Sequence, residues 1–150
     1  MKFRSLFLAL FLLISASVAN GAETDYLALL AEDSEIKAIA VVTNVRRMSN
    51  NSDGTFQHVT FKRIYGVTPF IPTTFVGGCK TMESRWQKRS SDMVYFNPRK
   101  GQKVYVTVTT NGGAITSFTP INAQLEAVLR QEPHRVAYSR GKAKVIPIQQ

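Results

Sequence analysis

The chain has 150 residues, with 19 lysines and arginines against 10 aspartates and glutamates and a formal net charge of +9. That length carries one domain with its own core, and a single cysteine, Cys79, excludes an intramolecular disulfide framework. A basic balance of this kind draws polyanions and speeds encounter with acidic partners, while leaving the fold undetermined.

Residues 1–19 read as a cleavable secretory signal peptide. Lys2 and Arg4 precede the unbroken apolar run Leu6 to Ile14, and Ser17 and Ala19 stand at the −3 and −1 positions of a cleavage site. Cleavage after Ala22 is the alternative. The run is shorter than the roughly 20 apolar residues that a bilayer span takes. The expected destination is therefore the periplasm or the extracellular space. Glu23, Asp25, Glu32, Asp33 and Glu35 crowd the start of the mature chain, so the 17 basic residues of 36–150 face only five acids.

Residues 24–33 predict a short helix capped by Thr24 or Asp25, with Leu27, Leu30 and Ala31 on one face. A β-branched run, residues 36–46, then predicts a strand. The turn cluster 49–54 separates it from a second strand over 56–65, in which Val59 and Phe61 alternate with His58, Thr60 and Lys62. Gly66, Pro69 and Pro72 exclude a central strand in their segment. Residues 73–80 predict a third strand whose Gly77 and Gly78 mark a bulge or a close backbone approach. The polar, basic segment 81–101 is long for a loop and predicts local structure around Met93 to Phe96.

The clearest element is residues 102–109, with Val104, Val106 and Val108 inward and Tyr105, Thr107 and Thr109 outward. Asn111-Gly112-Gly113 turns it into a fifth strand, residues 114–119. Asn122 caps a last helix that ends before Pro133. The fold class is thus mainly β: a small five-stranded OB-like barrel with a short helix before it and a helix after it. The domain is expected to span residues 20–133, and residues 134–150 to form a loosely ordered basic tail unless Val145, Ile146 and Ile148 dock.

The stretches Ile39-Ala40-Val41-Val42, Val59-Thr60-Phe61-Lys62-Arg63-Ile64-Tyr65-Gly66 and Phe96 to Val108 followed by Asn111-Gly112-Gly113 resemble, in their order, the netrin/tissue-inhibitor-of-metalloproteinase module and its secreted bacterial relatives. The resemblance spans residues 36–120 and implies an OB-type fold with a non-catalytic binding role. The animal members of that family depend on several disulfides and an N-terminal cysteine that engages metal. This chain has Cys79 alone, so inhibition of metalloproteinases is not implied.

Signals for catalysis are sparse. His58 and His134 lack metal-ligand spacing, so neither a metal nor a cofactor is expected. Cys79 beside Lys80 is a candidate nucleophile by the rule that a nearby cation lowers a thiol pKa, and a small buried strand residue by the ordinary behaviour of free cysteines. The binding signal is denser. Lys80, Arg85, Lys88, Arg89, Arg99 and Lys100 interleave with Trp86, Tyr95 and Phe96, a pattern suited to gripping a charged backbone while stacking on rings or sugar faces. Arg46, Arg47, Lys62 and Arg63 form a second group on the first hairpin, where the two pairs are expected to approach each other. The reading is an exported binding protein for an anionic envelope polymer or an acidic protein, with nucleic acid a less favoured partner. The alternatives are an accessory subunit of an envelope or secretion assembly, docking by an exposed strand edge, and a Cys79-dependent enzyme.

Overall fold

The computed structural model describes residues 25–90 and 93–148; the expected signal peptide lies outside them. Asp25 caps helix α1 (Tyr26–Glu32), its Oδ1 accepting from the Ala28 amide at 3.1 Å. Five strands follow: β1 (Ile36–Asn51), β2 (Gly54–Gly66), β3 (Thr74–Thr81), β4 (Lys103–Val108) and β5 (Ile115–Pro120). They form one antiparallel sheet in the order β3-β2-β1-β4-β5. Helix α2 (Ala123–Gln131) starts at Asn122, whose Oδ1 accepts from the Leu125 amide at 2.8 Å.

The sheet buries both faces. Ala38, Ala40, Val42, Val59, Phe61, Phe75, Val104, Val106, Val108 and Phe118 fill the inside of its curl. Outside it, Ile39 and Tyr105 pack under Leu125, Val128 and Leu129 of α2. Tyr105 and Thr107 do point away from the inner core, as the alternation predicts, but both are fully buried because helix and hairpin cover that face.

Three departures from expectation stand out. β1 does not stop at Arg46; it runs to Asn51 because Ser49, Asn50 and Asn51 keep pairing with Phe56, Thr55 and Gly54. Register shifts at Ile39/Ala40, Val42/Asn44 and Arg47/Ser49 bend the strand without ending it, and only Ser52 and Asp53 make the turn. Gly54 at φ 137° follows, a conformation that other residues rarely adopt.

Second, the sheet is not closed into a barrel. β4 and β5 are six residues each, and β4 pairs only with Ile36–Val41, so the far half of the β1–β2 hairpin projects beyond them. The outer strands β3 and β5 meet at one parallel bridge, Gly78–Ala114. The Gly78 amide donates to the Gly113 carbonyl at 2.9 Å and the Gly112 amide to the Val76 carbonyl at 2.8 Å. Gly77 and Gly78 mark a close approach and not a bulge, since β2 and β3 pair without a register shift.

Third, the basic tail is ordered. A 3-10 turn (Pro133–Arg135) leads into a hairpin, β6 (Val136–Ser139) with β7 (Lys142–Val145). Val136 and Ala143 are buried in the outer cluster, Val145 packs against it, and Ile146 and Ile148 stay exposed. The Tyr138 and Tyr105 hydroxyls stand 2.6 Å apart. The turn residues Arg140 (φ 51°) and Gly141 (φ 79°) both take positive φ, which suits a tight two-residue hairpin. The Phe118 amide donates to the Gly141 carbonyl, so this hairpin also covers the free edge of β5.

Candidate functional site: a basic tip on the first hairpin

The projecting end of β1–β2 is where residues 82–90 and 93–96 fold back, and one glutamine organises the contact. Gln87 is buried. Its Nε2 donates to Asn50 Oδ1 (2.5 Å), the Asn51 carbonyl (3.1 Å) and Thr55 Oγ1 (3.1 Å). Its Oε1 accepts from the amides of Glu83 (2.9 Å) and Ser84 (3.1 Å). The amide thus joins the loop's own backbone to the hairpin tip. The Lys88 amide donates to the Ser52 carbonyl at 2.9 Å, and the Tyr95 hydroxyl donates to the Asp53 carbonyl. Tyr95 also bridges Lys80 of β3, so the expected structure around Met93 to Phe96 is a short added pairing on that strand.

The clasp sorts the charges of this surface. Glu83 is taken by Arg47, with Thr55 and Gln57 as further donors. Asp53 is taken by Lys80, whose hydrogen bond holds that carboxyl below its ordinary value. Among the described residues, no carboxylate pairs with Arg46, Arg85, Lys88 or Arg89. Arg89 lies 5.5 Å from the Tyr95 ring centre. Trp86, at the turn between them, is 57% exposed, unlike a structural tryptophan. Seven of the eleven sequence candidates therefore lie on the projecting hairpin, on the loop clasped to it or, as Lys80, on the adjoining end of β3: Arg46, Arg47, Lys80, Arg85, Trp86, Lys88 and Arg89.

The remaining four stand elsewhere. Arg46 lies opposite His58, whereas Lys62 lies opposite Val41. Four strand residues separate the two positions, about 13 Å at the strand rise, so the expected approach of Arg46/Arg47 to Lys62/Arg63 does not occur. Arg63 instead donates to the Ile71 carbonyl of the β2–β3 loop. Arg99 and Lys100 belong to a separate turn, pinned by the Gly101 amide on the Val42 carbonyl at 2.7 Å. Gln87 was not among the sequence candidates. A glutamine in a polar, basic loop gives no pattern that marks it as buried.

Cys79 sits in the inner core opposite Gln57. Burial pushes its thiol up to about 12, so it stays protonated at neutral pH. His58 is on the other face of β2, edge-on to the Phe56 ring at 5.3 Å. Among the described residues, no group of three His, Cys, Asp or Glu side chains converges as metal ligands, and no helix is long and apolar enough to cross a membrane. The site is a surface of cations around one ring. No family model, curated protein or solved structure matches this chain.

Proposed function

We propose that the protein is an exported, non-catalytic binding protein that holds an anionic polymer on the hairpin tip, outside the cytoplasm. One observation carries this reading: Arg85, Lys88 and Arg89 flank the exposed Trp86 along the loop and, among the described residues, pair with no carboxylate, while Asp53 and Glu83 are already taken by ion pairs. These cations meet the polymer's charged groups, and the indole offers a flat face for a base or a sugar ring. An acidic protein would use the same cations without requiring the ring.

Strand addition by a partner is a weaker reading. The outward edge of β3 is occupied by the 111–114 turn and by Tyr95, and that of β5 by Gly141. Binding of a heparin oligosaccharide, measured across a range of salt, tests the proposal. The wild type should weaken steeply with salt. Arg85→Ala, Lys88→Ala and Arg89→Ala together should lower the slope of log affinity on log salt by roughly 2, on the scale of single-stranded polyanions. Lys62→Ala with Arg63→Ala should change it far less. An unchanged slope in the triple variant overturns the tip as the binding surface.

A further inference from the structure

Helix α1 carries an apolar face that the core uses only at Ala31. Of Leu27, Leu30 and Ala31, only Ala31 is buried, and Leu30 remains 38% exposed. The two leucines instead form one wall of a pocket of about 250 Å³. Phe56 and Ile115 line it from the sheet, and Met93 and Val94 from the loop. It lies over the seam where β3 and β5 are joined by the single Gly78–Ala114 bridge. Gly78 keeps that seam low: a Cβ there would stand 2.8 Å from the Phe56 ring. The lining is mostly apolar, with Thr109 and Thr116 as its neutral polar members. An apolar cavity of roughly 150 Å³ already accepts benzene, so this space holds a ring or a short chain.

The pocket also borders the basic tip. Lys80 lines it, and its ammonium has three donors, of which Asp53 takes one. Lys80 pairs with Tyr95, whose ring faces Arg89. Apolar volume, a cation with donors to spare and the cations of the tip thus follow one another along the surface.

We propose that this pocket binds the acyl chain of an anionic amphiphile, with its acidic head at Lys80. The inference rests on the tip reading only for the source of the chain, a free fatty acid or an acyl group carried by the anionic polymer. The chain is the occupant favoured over a second protein, because the space is a pocket of small volume beside a cation and not an extended groove.

Calorimetric titration with decanoate, decyl maltoside, heparin oligosaccharide and a decanoylated heparin oligosaccharide tests it. Decanoate should bind, and decyl maltoside more weakly. Leu30→Trp and, from the opposite wall, Met93→Trp fill the space from partly exposed positions. Each should weaken decanoate by roughly tenfold or more, as overfilled sites do, while leaving heparin affinity and thermal unfolding near those of the wild type. Two fill variants guard against one that folds poorly. Absence of decanoate binding, equal binding of decyl maltoside, or affinity unchanged in both variants overturns the proposal. Decanoate binding with no heparin binding sinks the tip reading and leaves the pocket standing; the converse does the reverse. A decanoylated oligosaccharide that binds tighter than either part places the chain on the polymer, and one no tighter than decanoate places it on a free acid.

Discussion

Gln87 shows how much a single buried amide organises. It has two donors and one acceptor oxygen, and the hairpin tip and the loop together satisfy all of them. Replacing it with leucine keeps most of the volume but strands the Glu83 and Ser84 amides, while the Asn50 carboxamide oxygen keeps the Thr55 hydroxyl at 3.0 Å. Buried polar groups left unpaired cost about 1–3 kcal/mol each. Gln87→Leu should therefore lower unfolding stability by about 2–4 kcal/mol, read from urea midpoints, and weaken heparin binding as the loop loses its anchor. A loss below about 0.5 kcal/mol, within the range of ordinary surface changes, contradicts the clasp.

At the scale of elements, the decisive contact is the seam between β3 and β5. A Cβ on Gly77 would stand 2.5 Å from Ile115 Cγ1 and 3.3 Å from Val108 Cγ1, inside the core. Gly77→Ala should push the strands apart and cost about 1–3 kcal/mol, the range for overpacked cores, with the loss read by urea titration. An alanine tolerated without loss would mean that the strands can separate freely. The sequence makes these elements legible to different degrees. β4, β5 and both helix caps are plain from Val104-x-Val106-x-Val108, Asn111-Gly112-Gly113, Asp25 and Asn122, because alternation and capping are local. The β6–β7 hairpin is not, since its strands are four residues long and its turn is Arg140-Gly141 without the usual Asn-Gly or Asp-Gly signal. The open sheet is hidden for another reason: closure depends on how far strands pair, which the alternation of side chains does not encode. Within the site, the cations and Trp86 stand out by residue type, while their sorting into tip and non-tip groups follows from register and from Gln87.

The whole molecule carries its charge logic into its pH response. Hydrogen bonds from Lys80 and Lys103 hold the Asp53 and Glu126 carboxyls below their ordinary values of 3.8 and 4.5. The unfolded chain takes up those protons first as pH falls. This stability is therefore complete above the ordinary values and lost as pH drops through the lowered ones. At the alkaline end, burial pushes Cys79 from 9.0 up to about 12, and raises Tyr105 and Tyr138 above 10.0. Here the unfolded chain gives up protons first, so stability is complete below about pH 9 and lost as pH rises beyond it. Urea midpoints should form a plateau between about pH 5 and pH 9 and fall on both sides, the unfolding free energy on the alkaline side dropping by up to roughly 1.4 kcal/mol per pH unit for each of the raised groups. A midpoint that keeps rising above pH 10 would contradict the buried state of these three groups.

The same view of the molecule makes the binding claim directly measurable. Trp86 is the only tryptophan in the chain and stands exposed among the cations of the tip. Its emission can be followed while a heparin oligosaccharide is titrated at low salt, in the wild type and in the triple Arg85→Ala, Lys88→Ala, Arg89→Ala variant. Binding at the tip should give a saturable change in emission that tracks calorimetric binding, reverses on raising salt and is lost in the triple variant. Heparin binding that proceeds with the Trp86 emission unchanged would place the polymer elsewhere on the protein and overturn the tip as the binding surface.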